Sequence, residues 1–322
     1  MIEKLFKEFT DYATDKNLYI DGIAVADEKK VLLEHYFTPD LIHNIHSHTK
    51  SYLSAAIGIA ISQGKISLDD RLADYFPEAI PDHASPLINE IRLRHLLTMS
   101  SGFDYPYLSM NDRRSGVGAP DYITYMLSRP VQVKPGSHFL YSTADSILAG
   151  RMLEKAVGMN LGEYLFHEIF SPLGQGHPIW ETDMQGHPIG GGGIFMKLTD
   201  MMKLGQVYLA GGRWNGRQLI DPSWVRESTS MQIDSRISQN HENSAQNAPT
   251  PQNSPVDLWN CGYGYQFWLS PYPLAYRADG AFGQITTVFP KSNLVVAIQC
   301  PEKGDFEKVK LALHEIIFSQ LS

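Results

Sequence analysis

Cysteine is scarce: the chain of 322 residues has two, Cys261 and Cys300. Two thiols cannot make a disulfide framework, so both read as reduced filler in a core built by apolar packing. Long apolar runs are missing as well. The longest lies inside Leu53 to Ile61, far short of the roughly 20 residues that a membrane span needs. The opening "MIEKLFKEFTDYA" is amphipathic and does not follow the plan of a signal peptide. The expectation is therefore a cytoplasmic protein that does not enter the membrane. No basic tract stands out: 27 lysines and arginines stand against 35 aspartates and glutamates, a net charge of −8. Such a surface does not neutralise a run of phosphates, which argues against nucleic acid as a partner. No internal repeat is visible. Oligomeric state leaves no mark in the sequence.

What is present is an ordered pattern of helices and strands. Ile2, Leu5, Phe6, Phe9 and Tyr12 fall on one helical face, and "IDGIAVADEKKVLLEHY" follows as two β-rich runs around a charged turn. Near the other end, "GQITTVFPKSNLVVAIQC" reads as two strands joined by "PKSN". A helix comes after it, with Phe306, Val309, Leu313, Ile316 and Ile317 on one face. Asn215-Gly216 in "RWNGRQLI" supplies the positive φ angles of a two-residue hairpin. Strand signals fade between Ser67 and Leu173. The expectation is an α/β (α+β) fold: a discontinuous sheet subdomain from 1–66 and 174–322, a helical subdomain from 67–173, and a cleft at their junction. The stretch 234–255, rich in Ser, Asn, Gln and Pro, reads as a mobile surface loop.

The stretch "SHTKSYLSAAIGIAISQGK" raises a chemical question. Ser47 before an apolar helical run is a common N-cap. A capping box, however, would place Glu or Gln three residues on, whereas here Lys50 puts positive charge at the positive end of the helix dipole. The placement becomes useful when Ser47 lies on the first turn, because residues three apart share a face and the amine meets the hydroxyl. Burial and the dipole then favour a neutral amine that can take the hydroxyl proton, and free N–H groups at the helix start can hold an oxyanion.

S-x-x-K alone is a weak motif, but it does not stand alone. The segments "SHTKSYLSAAIGIAISQGKISLDDRLADYFPE", "LRHLLTMSSGF", "YSTADSILAGRMLEKAVG", "GGGGIFMKLTDMMKLGQVYLAGGRWNGRQLIDPSWV" and "ADGAFGQITTVFPKSNLVVAI" follow one another. In that order they resemble the serine β-lactamase and penicillin-binding-protein superfamily, in particular class C β-lactamase-related esterases and amidases. The resemblance runs from about Asp21 to near the C-terminus. It implies a β-lactamase-like fold: a central antiparallel sheet flanked by terminal helices, an all-helical subdomain, and an active site between them.

By that resemblance Ser47 is the acylated nucleophile, Lys50 its base partner and Tyr141 of "YST" the general acid/base, its phenol lowered by a nearby lysine. The backbone N–H groups of Ser47 and Ala281 would form the oxyanion hole. Two substrate-facing positions depart from the lactamase branch. Thr143 stands where those relatives carry asparagine, and Ala278-Asp279-Gly280 stands where they carry a cation, a hydroxyl and glycine. Asp279 would repel a substrate carboxylate unless Arg277 turns in to offset it. Efficient β-lactam hydrolysis is therefore not expected, and "GAFGQ" resembles esterase and amidase members, 6-aminohexanoate-oligomer hydrolases among them.

The leading expectation is a serine hydrolase that cleaves an ester or amide of a small or peptide-like substrate through an acyl-enzyme, with no cofactor. Two rivals are a peptidase or amidase for D-amino-acid or ω-amino-acid compounds, with Asp279 meeting a cationic group, and a non-catalytic ligand-binding protein on the same scaffold. The second would be marked by a lost nucleophile or lysine, and none is lost. Other signals point nowhere further. His35, His43, His46 and His48 are too poorly spaced for a zinc site and are expected to border the cleft. "GGGG" at Gly190 to Gly193 lacks the Gly-Lys-Ser/Thr of a phosphate loop and is expected to let backbone pack close to the cleft.

Overall fold

The fold is described from a computed structural model of the chain, covering residues 1–237 and 260–321. Six antiparallel strands form the main sheet: β1 (Gly22–Ala26), β2 (Val31–Tyr36), β3 (Trp268–Leu269), β4 (Tyr276–Gly280), β5 (Gln284–Phe289) and β6 (Leu294–Gln299). Their spatial order is β2-β1-β6-β5-β4-β3. The N-terminal hairpin thus joins the C-terminal strands through the β1–β6 pairing, with Ile23 opposite Ile298 and Val25 opposite Val296.

Strand alternation sorts the side chains onto two faces. Ile23, Val25, Val296 and Ile298 pack with Phe6 and Phe9 of α1 (Ile2–Asp15) and with Val309, Leu313 and Ile317 at the C-terminal helix. Ala24, Ala26, Val295 and Ala297 face the opposite way, into the larger core. Their small side chains leave room for the long helices on that side. Tyr12 departs from the expected stripe: it is 39% exposed, and Ala13 is buried in its place. Tyr12 sits at the rim of the apolar arc, where a phenol can stay in water.

The larger core surrounds α2 (Thr49–Ser62), buried from Thr49 to Ala60. It also includes α3 (Thr143–Val157) and α4 (Leu198–Leu209). Every named element from residue 67 to 173 is helical. The Asn215-Gly216 hairpin forms as expected, with φ of 48° and 81°. Missing from the sequence reading is a small sheet in which His43–Asn44 and Ile179–Trp180 flank Ile194–Met196. It sets the entry to α2 beside the glycine run 190–193. Cys261 and Cys300 are not joined in a disulfide. Of the expected loop, residues 238–255 lie outside the described residues. Among the described residues, no helix is long and apolar enough to cross a membrane.

Candidate active site

Ser47 sits in a single 3-10 turn, His46–His48, directly before α2. It is not a cap: the helix has His48 at that position, and no side-chain cap bond is made. The preceding His46 has φ of +47°, a left-handed conformation rarely held by a bulky residue without a surrounding constraint. The constraint is visible. The His46 amide donates to Asn44 Oδ1 at 2.8 Å, and Asn44 Nδ2 donates to Glu181 Oε1 at 3.1 Å. The turn therefore bends back and leaves Ser47 half-buried while its neighbours are closed in.

Lys50, on the first turn of α2, is 1% exposed. Its Nζ lies 3.2 Å from Ser47 Oγ and 2.6 Å from the carbonyl oxygen of Gly191. Burial, then the positive charge of Arg113, push the ammonium down to about 7, while the charge of Asp145 works the other way. An ordinary lysine titrates near 10.4, so a substantial share of this amine is free base at neutral pH, unlike an ordinary lysine. Arg113 is held by the Leu108 carbonyl at 2.8 Å and lies 3.5 Å from Glu181.

The glycine run explains how Gly191 reaches Lys50. A Cβ on Gly190 would meet the Ser146 carbonyl oxygen at 2.5 Å, and one on Gly191 would meet the Thr143 methyl at 2.8 Å. Only glycine lets this backbone lie against α3. The close packing expected for "GGGG" is present, and the Gly191 carbonyl as the partner of Lys50 is the part that sequence reasoning missed.

Tyr141 precedes α3, and its ring stacks on Trp268 at 5.4 Å. Lys50 Nζ lies over the ring, 5.0 Å from its centroid. Here the expectation of a lowered phenol is corrected. Burial raises the Tyr141 phenol well above its usual value; Ser47 hydrogen bonding and the Arg277 charge oppose the shift only in part. The groups that work against the rise are Ser47, Trp268 and Arg277; the Lys50 amine lies over the face of the ring instead. Tyr141 is thus a proton holder beside Ser47, and Lys50 is the group able to accept a proton.

The third segment closes the site. The Ser47 turn packs against the end of β4 and the turn Ala281–Gly283. A Cβ on Gly280 would lie 2.2 Å from the Ile45 carbonyl oxygen, so glycine at this position permits the close approach. Arg277 does turn in: its Nε donates to Asp279 Oδ2 at 2.7 Å, with side chains 3% and 8% exposed. The guanidinium also donates to the Leu269 carbonyl at 2.7 Å and lies 5.6 Å from the Trp268 ring. Thr143 is 7% exposed, its methyl toward Gly191.

The histidines do not all border the cleft, contrary to expectation. His48 is fully buried against Thr286 at 3.0 Å, His43 lies 3.7 Å from Asp21, and His35 is exposed on β2. Of the four, only His46 keeps its ring at the Ser47 turn toward the cleft segment, near Phe282 and 3.4 Å from Glu302. Among the described residues, no group of three or more His, Cys, Asp or Glu side chains is placed to hold a metal ion.

With this geometry in place, comparison with known proteins gives one consistent answer. A sequence profile of the family described as Beta-lactamase matches residues 5–316. An Escherichia coli K12 protein provisionally named D-alanyl-D-alanine carboxypeptidase is 29% identical over 175 residues, 51% of this chain and 40% of that protein's own length. A Bacillus anthracis structure provisionally named 6-aminohexanoate-dimer hydrolase superposes with a TM-score of 0.76 at 18% identity, covering 97% of this chain and 81% of that one. EstCE1, described as a hydrolase with promiscuous acyltransferase activity, gives 0.72 at 17% identity and covers 98% of both chains. At these identities the two structures share the fold.

Proposed function

The chain belongs to the β-lactamase family and is a serine hydrolase of that family; on that footing we propose that it cleaves esters or amides through an acyl-enzyme formed on Ser47. The observation that carries the reading is the buried Lys50 amine, 3.2 Å from the Ser47 hydroxyl and titrating near 7. Neutral Lys50 takes the proton as Ser47 Oγ attacks the substrate carbonyl. The carbonyl electrons move onto oxygen, where the backbone N–H groups of Ser47 and Ala281 hold the oxyanion. As the intermediate collapses, Tyr141 protonates the leaving group and is itself reprotonated from Lys50. Water then repeats the sequence on the acyl-enzyme and frees Ser47.

The pairing of Arg277 with Asp279 supports substrates uncharged at that point of the cleft, since each charge is already met by the other. The names of two relatives favour a finer reading, a peptidase or amidase for D-amino-acid or ω-amino-acid compounds. The two readings part on charge: the peptidase reading requires that the ion pair open toward a substrate carboxylate or ammonium, and the ester reading leaves it closed.

The test is intact-mass analysis after brief exposure to a fluorophosphonate, alongside turnover of a p-nitrophenyl ester. An adduct and turnover in the wild type, both absent in Ser47→Ala, are expected. An adduct that persists in Ser47→Ala would place the nucleophile elsewhere, and no adduct in either protein would move the non-catalytic reading forward.

A further inference from the structure

Asp145 is a buried carboxyl whose charge acts on Lys50 and to which the mechanism above gives no task. It lies on the first turn of α3, the helix that carries Thr143 and follows Tyr141, and it is fully buried. Ser101 Oγ donates to Asp145 Oδ1 at 2.8 Å, while Oδ2 has no hydrogen-bond partner among the described residues. Gly190 and Gly191 pack on Thr143 and Ser146, which flank Asp145 in this helix, and the Gly191 carbonyl is the acceptor for Lys50. A carboxyl is thus set into the wall that positions the amine, held from one side only.

We propose that Asp145 is a positioning residue for the base: its carboxylate is the counter-charge that stabilises the Lys50 ammonium when Ser47 gives up its proton. The inference rests on Ser47 and Lys50 acting as assigned above. The proton moves from Ser47 Oγ to Lys50 Nζ and never to Asp145. A positive charge then appears where water cannot reach it, and a buried anion nearby lowers the cost of making it.

The surroundings fit this role. Burial raises the Asp145 carboxyl to about 7; the Ser101 hydroxyl, the Ser101 backbone and the charge of Lys50 oppose that rise. The other groups facing the pair are Arg113, which disfavours the Lys50 ammonium, and the phenols of Tyr141 and Tyr263. Both phenols are pushed well above their usual range by burial and remain protonated. In its ionised form Asp145 offsets the charge of Arg113 at Lys50. Two interacting groups that titrate near neutrality lose their protons in two steps that belong to the pair.

The test is the pH dependence of Ser47 phosphonylation by a fluorophosphonate in the full chain, in wild type, Asp145→Asn and Ser101→Ala. Without the carboxylate the ammonium is less favoured, so in Asp145→Asn the acidic limb should move down by roughly one pH unit or more. The limb should also become a single-proton titration, and the plateau rate should fall about tenfold because the base is weaker. Ser101→Ala removes a donor to the carboxylate and should move the limb in the same direction by less. A folded Asp145→Asn that loses rate equally at all pH values, with the limb unmoved, overturns the inference. Should that variant fail to fold, an unmoved limb in Ser101→Ala does the same. No labelling of the wild type at Ser47 would instead overturn the function it rests on.

Discussion

Lys50 meets the carbonyl of Gly191, 141 residues away in sequence, at 2.6 Å. That contact fixes an amine which could otherwise swing away from Ser47, and it leaves the nitrogen lone pair free for the serine proton. The expected outcome for Lys50→Ala is a folded protein whose kcat/KM for an activated ester falls by about 10²- to 10⁴-fold, the range for a lost general base. In the wild type, rate should drop as pH falls through about 7, where Lys50 takes up a proton. A limb near 9 or 10 would show that the amine titrates as an ordinary lysine and is not a free base at neutral pH.

The same lysine should cost stability. Its folded pKa is depressed from the ordinary value, so between about 7 and 10.4 the unfolded chain binds the extra proton, and stability from this group rises with pH across that window. Below about 7 the penalty is at its full size. Lys50→Met should therefore raise Tm more at pH 6 than at pH 9, which thermal unfolding at the two pH values would read.

Tyr141→Phe keeps the ring that stacks on Trp268 and removes only the hydroxyl. The expected result is an unchanged Tm with kcat lowered by about 100-fold or more, the size of a lost proton donor. Because burial raises the phenol, the wild-type profile should show no falling limb from this residue below pH 10. A descending limb near 8 or 9 that vanishes in Tyr141→Phe would contradict the assignment.

The Arg277–Asp279 pair gives a test of substrate charge. Arg277→Met leaves Asp279 buried without its partner and should destabilise the protein by about 3 to 5 kcal/mol in urea unfolding. Where it still folds, it should gain preference for esters bearing a cation over neutral ones, since the carboxylate is then unmasked. Wild type with a strong preference for either charge would speak for the peptidase reading instead.

Gly280→Ala should displace the Ser47 turn, because the new methyl meets the Ile45 carbonyl oxygen rather than a side chain that can move. A loss of about 1 to 3 kcal/mol, together with a fall in kcat, is expected. Gly192→Ala is the control: its methyl finds nothing nearer than 3.7 Å and should leave both quantities close to wild type.

How legible the site is from sequence depends on the distance over which each feature is encoded. Ser47 and Lys50 announce themselves because the i, i+3 spacing on a helix start is local, and Tyr141 because it directly precedes a strong helix. Gly191 and Asp145 do not, since their roles arise only when α3, the glycine run and α2 are packed together. The small sheet of His43–Asn44, Ile179–Trp180 and Ile194–Met196 escapes for another reason: strands of two or three residues are too short to show a period. Tyr141 lies beside Ser47, yet its phenol is raised rather than lowered, because a sequence gives a neighbour's identity but not the side of the ring it faces.

The assembly of the site also makes it a monitor of the whole fold. Ser47 and Lys50 come from one stretch, Tyr141 from a second, Gly191 from a third and Gly280 from a fourth, and the polypeptide between them builds most of the larger core. Neither half of a chain cut between 141 and 191 holds a complete constellation. Two inactive fragments that regain ester turnover only on mixing would report reassembly directly, with the enzyme's own chemistry as the signal.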